Sequence, residues 1–415
     1  MPASKKGPQA PCSRSTLALR SKYSKDSKAM TPLGKMAKLS QQKKVTLIGL
    51  MSGTSADGVD ACLVTFTKGA KVQWQLREAQ YFPFKKSLRQ KILQVAAKEG
   101  RVEDACRLDV ELGQAYAKAV SGLLKKAKVK DVAAVASHGQ TIRHLPPRGK
   151  KLGATMQIGQ AAIIAQETGL PVISDFRVAD MALGGHGAPL VPQADKLLFA
   201  QKGKTVAIQN IGGMANITVL QGEKPPCAFD TGPGNALLDL AVAHYFQGRK
   251  QCDLGGKLAA RGCRISSLFK WLMDHPFLKK KPPKSTGREA FGEEFWQEVL
   301  ARAEGAKAND VIRTLTDFTA ASIAGAMKFV QKPDIFYVAG GGAKNETLMD
   351  ELQRRLSMKV EPLGDLADWR EALCFAALGY LFLRGSAGAE PLVTGAAGPA
   401  ILGKLSLPPQ WVRKN

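Results

Sequence analysis

At 415 residues the chain is long enough for two domains, each with a core of its own. Its composition, 45% apolar and 23% charged with no apolar run near the roughly 20 residues that cross a bilayer, is that of a globular protein without a membrane span. Seven cysteines, an odd count with no CxxC pair, exclude a disulfide framework and a zinc ribbon, and reduced thiols of a cytoplasmic kind are expected.

Residues 1–44 are rich in Ser, Lys and Ala and lack both a periodic apolar face and a signal-peptide core. They are expected to be a disordered basic extension; an organelle transit peptide, or a start at Met30 or Met36, are alternatives. The segment holds eleven Lys/Arg and one acid, Asp26, so a large part of the +25 net charge belongs to it. In the body, short pairs such as "LLKKAK" lack the interleaved aromatics of a base-stacking surface. A phosphate-bearing small molecule suits this charge as well as a nucleic acid does, and no nucleic-acid partner is expected.

From Val45 on, strand-like and helix-like segments alternate, as in layered α/β proteins. "VTLIGL" and "ACLVTF" read as strands, "VQWQLREAQYFPF" as an extension of their sheet, and "SLRQKILQVAAKEG" and "RLDVELGQAYAKAVSGLLKKA" as helices. The strand "DVAAVASHGQT", the helix "QAAIIAQETG" and the strand "PVISDF" follow. The design then restarts: "TVAIQNIGGMANITVL" is again strand, glycine turn, strand. "CAFDTGPGNALLDLAVAHYF" and "IFYVAGGGAKNETLMDEL" are each strand, glycine turn, helix. Two related α/β domains facing one cleft are predicted, 45–204 and 205–415, with the C-terminal segment able to pack back on the first.

Between the first two strands lies "GLMSGTSADGVD". Such a turn is either a plain hairpin or an anion-binding nest of backbone N–H groups. It is no Walker loop, since no Gly-Lys-Ser/Thr follows, and no Rossmann loop, since a strand rather than a helix comes next. Asp57 and Asp60 add carboxylates that a structural turn does not need but Mg²⁺ on a nucleotide does. Gly212 and Gly213, then Gly340, Gly341 and Gly342, repeat the pattern, so three glycine loops are expected to wall one nucleotide site.

"FDTGPGN" puts Asp230 at a strand end, either as a general base or as a helix N-cap. "SDFRVADMALGGHGAPLVP" offers Asp175, Arg177, Asp180 and His186 on an irregular path of the kind binding loops follow. "ASHGQTIRH" offers His138 and Gln140 to a polyhydroxylated substrate, or a buried histidine. "KPPKSTGREAF" supplies Lys284, Ser285, Thr286 and Arg288 as a phosphate or interdomain contact, or a solvated basic loop.

Together with "EALCFAALG", these stretches resemble the anhydro-N-acetylmuramic acid kinase family of the sugar kinase, Hsp70 and actin superfamily, in order from about residue 46 to 404. The resemblance implies a two-domain actin-like ATPase (ribonuclease H-like) fold with mixed five-stranded sheets and ATP in the interdomain cleft. It makes Gly53, Thr54, Ser55, Ala56, Asp57, Gly58, Val59 and Asp60 the loop on the ATP phosphates. Asp57 or Asp60 would reach Mg²⁺ through water. Asp230 becomes the catalytic base, and Glu371 the holder of a sugar hydroxyl beside His138, Gln140, Arg177 and Asp180. The implied reaction opens a 1,6-anhydro sugar with water and phosphorylates O6, as in peptidoglycan recycling. Dimerisation is implied by the family alone.

Two departures stand out. Val178 and Ala179 replace the basic residues usual after "DFR", and His186 replaces a common Gln. The loss of positive charge leaves levoglucosan, the substrate of a related kinase with "DFRISD"-like spacing, as the alternative. A non-catalytic nucleotide switch is the alternative from another class.

Overall fold

The computed structural model describes residues 30–97, 100–149 and 151–411. Its strands are β1 (Lys44–Ser52), β2 (Gly58–Thr67), β3 (Gln73–Pro83), β4 (Ala134–Leu145), β5 (Ala154–Ile158) and β6 (Val172–Ser174), followed by β7 (Thr205–Ile211), β8 (Met214–Gln221), β9 (Cys227–Pro233), β10 (Ile335–Ala339), β11 (Val360–Pro362) and β12 (Lys404–Ser406).

Two sheets repeat one topology. In the first, β1 pairs antiparallel with β2 and β2 with β3, while β1 pairs parallel with β4 and β4 with β6. In the second, β7, β8 and β9 form the antiparallel run, and β10 and β11 add in parallel beside β7. The strand orders β3-β2-β1-β4-β6 and β9-β8-β7-β10-β11 are therefore equivalent. This duplicated mixed sheet is the actin-like, ribonuclease H-like arrangement. The first sheet nevertheless has seven strands where five were expected, because β5 folds back on β4 and β12 adds antiparallel to β6.

β1 is buried along almost its whole length because both of its faces are covered. Alternation sends Val45, Leu47 and Met51 to one core and Ile48 and Leu50 to the other. The helix Val102–Ala127 covers the second face with Leu108, Leu112, Tyr116 and Leu123. The first face receives the helix Leu366–Leu383, whose stretch from Ala372 onward is apolar all round and enclosed, while its first turns carry Asp368, Arg370 and Glu371. Gly49 lets that helix close on the sheet: a Cβ there would stand 2.0 Å from the Ala372 carbonyl oxygen. Each enclosed Leu or Phe contributes about 1.5–3 kcal/mol relative to exposure.

In the second unit the helix Ala308–Ala326 links two cores. Ala320, Ile323 and Ala326 pack on the sheet, and Val311, Ile312, Leu315 and Phe318 join the helical cluster around Trp296.

The disorder expected over 1–44 is corrected for its last part. Residues Pro32–Gln41 are helical, started by Thr31, whose hydroxyl accepts the Gly34 N–H at 3.0 Å. Met36 enters the first core, and the Arg384 guanidinium donates to the Ser40 and Gln42 carbonyls. The rest of that segment, 1–29, lies outside the described residues. Among the described residues no helix is long and apolar enough to cross a membrane.

Candidate active site

Between β1 and β2 the chain turns at residues 53–57. Ala56 takes positive φ, 51°, with its methyl buried, and the Ala56 N–H closes the turn on the Gly53 carbonyl at 3.2 Å. Thr54 and Ser55 are left exposed, Ser55 donating to Asp57 Oδ1 at 2.8 Å, while Val59 is core. Buried Gln140 fixes the loop from below. Its Oε1 accepts from Ser52 Oγ at 2.7 Å and its Nε2 donates to the Gly53 carbonyl at 3.1 Å. Both ends of the amide are thus engaged by the loop, so in this structure Gln140 supports residues 52–53 from inside the protein.

The glycines of the three loops fall into two classes. Gly58, Gly340 and Gly342 are demanded by the fold. A Cβ at Gly58 would lie 2.5 Å from the Phe82 carbonyl oxygen and one at Gly342 2.4 Å from Ile211 Cγ2, while Gly340 has φ of +79°. At Gly53, Gly212, Gly213 and Gly341 a Cβ would find no neighbour nearer than 3.8, 3.7, 3.9 and 3.5 Å, and none of the four is left-handed. Among the described residues nothing requires these four to be glycine. What they offer is bare backbone to a ligand approaching from outside.

The second-unit loops interlock. Gly212 and Gly213 offer their carbonyls to the N–H groups of Asn235, at 2.7 Å, and Gly234 and Ala236, at 2.9 and 3.0 Å. Asn235 Nδ2 donates to the Ile211 carbonyl, against which Gly340 and Gly342 pack. The glycine loop then reaches the other unit through Lys344, 2.8 Å from Asp368.

Asp368 belongs to a cavity of about 390 Å³ whose walls include Gly53, Ser55, Asp57, Asp60 and Glu371. This is an acidic space. Burial, with the charges of Glu371, Asp57 and Asp368, pushes the Asp60 carboxyl up to about 7. Glu371 is likewise raised by burial, against the lowering influence of Arg370 and Arg177.

Asp230 lies in β9, where the Lys284–Thr286 segment clasps it. Its N–H donates to the Lys284 carbonyl at 3.1 Å, and its Oδ2 accepts the Thr286 N–H at 2.8 Å. Oδ1 accepts nothing from the described residues. Burial raises the carboxyl, opposed by the Thr286 hydrogen bond and the Lys284 charge. Asp230 is not the cap of the following helix; Asn235 holds that position.

Arg177 donates through Nε and Nη2 to His138 Nε2 at 3.2 and 2.9 Å, and through Nη1 to the Gly187 carbonyl at 2.7 Å. Burial and the Arg177 charge pull His138 down to about 3, so its ring is neutral, with the proton on Nδ1. Asp180 is 2% exposed, with Oδ2 taking the Gly187 N–H at 2.7 Å and Oδ1 the Thr394 hydroxyl at 2.6 Å, so in this structure it clamps the glycine-rich loop. His186 is exposed beside Gly395, and Asp175 pairs with Lys404 of β12.

The family model of anhydro-N-acetylmuramic acid kinases matches residues 45–408. The chain belongs to the anhydro-N-acetylmuramic acid kinase family. Relatives of that name are 41% identical in Acaryochloris marina over 382 residues, 87% of this chain and 99% of the relative. In Caldanaerobacter subterraneus subsp. tengcongensis the identity is 37% over 396 residues, 90% of this chain and 100% of the relative. Among solved structures, component A of (R)-2-hydroxyglutaryl-CoA dehydratase from Acidaminococcus fermentans superposes with a TM-score of 0.44 at 14% identity, covering 82% of this chain and 99% of that one.

For a member of this ATP-using kinase family, the main residue missed from sequence is Asp368. It stands three residues before Glu371 on one helix, a spacing that puts both on one face, and that signal was available.

Proposed function

We propose that this chain opens the 1,6-anhydro bridge of anhydro-N-acetylmuramic acid with water and transfers the γ-phosphoryl group of ATP to the freed O6, giving N-acetylmuramate 6-phosphate and ADP. The observation that carries the reading is Asp230, held by one carboxylate oxygen with the other unengaged, in a chain that matches the kinase family over residues 45–408. The unengaged oxygen takes a proton from water, whose oxygen bonds to C1 as the C1–O6 bond breaks. O6 leaves with its electron pair and forms the bond to phosphorus, while the bond to the ADP oxygen breaks. A strained bicyclic acetal is thereby opened without a free alkoxide, because phosphorus captures the charge as it develops.

The four glycines at which a Cβ would meet no clash suit the phosphates of ATP, whose charge backbone N–H groups stabilise. Glu371 and Arg177 are assigned to the sugar. Among the described residues no cluster of three or more His, Cys, Asp or Glu side chains could hold a metal. Mg²⁺ keeps several waters and needs only one or two carboxylates besides phosphate, so Asp57 and Asp60, in a cavity crowded with negative charge, fit it. When bound, it supplies neutralisation of the phosphate charge.

The reading is tested by ADP release with anhydro-N-acetylmuramic acid and with levoglucosan in parallel. Strong stimulation by the first and little by the second is expected. The reverse order would assign the enzyme to levoglucosan, and no stimulation by either would remove the kinase reading.

A further inference from the structure

The Lys284–Thr286 segment does more than contact Asp230: it carries a cation into an aromatic enclosure beside it. Lys284 Nζ lies 4.6 Å from the ring centre of Phe277, 5.2 Å from that of Phe329 and 6.0 Å from that of Phe229, and donates to the Phe277 carbonyl at 3.4 Å. Phe229 directly precedes Asp230 in β9. Three rings from three separate segments converge on one ammonium, as in sites that select cations by the negative faces of aromatic rings.

A lysine next to a general base is ordinarily a hazard. If the ammonium swings onto the carboxylate, the pair is hydrogen-bonded and the base is lost to proton transfer. Here no Lys284–Asp230 ion pair forms, and the ammonium is turned toward the rings instead. The contact between the two residues runs through the backbone, Asp230 N–H to Lys284 carbonyl. The charges bearing on this group of residues are few. Asp230 faces Glu289, which raises its carboxyl, and Lys284, which lowers it; Lys284 itself is opposed by Lys328.

We propose that Lys284 is a positioning residue for Asp230: its caged ammonium pins the clasping segment, while the cage restrains that ammonium from pairing with the base. This inference rests on the assignment of Asp230 as base.

The test measures kcat/KM for the anhydro sugar across pH, with KM for ATP and thermal melting as controls, in Lys284→Met, Lys284→Arg and Phe329→Leu. Lys284→Met keeps the stem but removes the charge that lowers the Asp230 carboxyl, so the acid limb is expected to move up in pH. Lys284→Arg, which retains charge and ring contact, should restore the limb. Phe329→Leu opens one wall of the cage, and its acid limb should move down as the ammonium gains access to Asp230, with kcat falling and KM for ATP unchanged. An acid limb unmoved in both Lys284→Met and Phe329→Leu would overturn the inference alone. Substantial turnover by Asp230→Asn would instead overturn the base assignment and this role with it.

Discussion

Arg370 grips Asp195 from inside the protein, its Nε 3.1 Å from Oδ1 and its Nη2 on Oδ2, with the pair 5% and 0% exposed. The two residues come from helices far apart in the chain, Val191–Phe199 and Leu366–Leu383, and Cys374 adds its Sγ to the same Asp195 oxygen. Glu371 follows Arg370 directly, so this ion pair fixes the turn of helix that aims Glu371 into the acidic cavity.

Removing one partner leaves a buried charge without its counter-ion. Asp195→Asn is therefore expected to lower stability by about 3–5 kcal/mol, measured by urea unfolding. The double change Asp195→Leu with Arg370→Met should recover most of that loss. Its KM for the sugar should nevertheless stay raised, because Glu371 has lost its anchor; a normal KM in the double variant would disconnect the pair from the site.

Asp230→Asn removes the proton acceptor and keeps the shape and the Thr286 contact. Turnover should fall by at least about 10²–10⁴-fold, the usual contribution of a general base, with ATP affinity by calorimetry unchanged. Activity near that of the wild type would end its assignment as base.

Two glycine substitutions separate ligand approach from packing. Gly341→Ala meets only an ordinary contact with Asn235 Nδ2 at 3.5 Å, so melting should hardly change while KM for ATP rises about tenfold, the scale of one lost charge-assisted contact. Gly49→Ala drives a methyl into the Ala372 carbonyl and should cost about 1–3 kcal/mol of stability. Equal melting losses in the two variants would refute the distinction.

Asp60 gives stability a pH dependence of definite sign. Its carboxyl is raised from 3.8 to about 7 in the folded protein, so between those values the native state binds more protons than the unfolded one. Stability from this group is present at low pH and is lost as pH rises through about 7. Asp60→Asn should therefore melt higher than the wild type at pH 8, with the difference vanishing near pH 4. Millimolar Mg²⁺ with ADP should narrow the gap at pH 8; a wild type that melts higher than the variant there would contradict the sign.

The strands and glycine turns were legible because alternation and turn chemistry are local. The duplicated topology was legible because each half restarts with the same hairpin. The partners of Gln140 and Asp180 were not: a side chain's type shows what it can bond, not whether Ser52 or Thr394 has already satisfied it. The helix at Pro32–Gln41 was hidden for a related reason. It shows little apolar character of its own, and what ties it down, Arg384, comes more than three hundred residues later.

That same lateness shapes how the protein is made. The first sheet is complete in the growing chain soon after β6, apart from β12, but the helix that seals one of its faces and the strand that closes its edge belong to the last part of the sequence. During synthesis, which runs at about 5–20 residues per second, Leu47, Val64 and Phe66 must wait uncovered while the whole second unit is built. The earliest-made unit is thus the last to be finished, and an amino-terminal fragment ending at residue 204 would expose the unsealed face to chaperones or to aggregation.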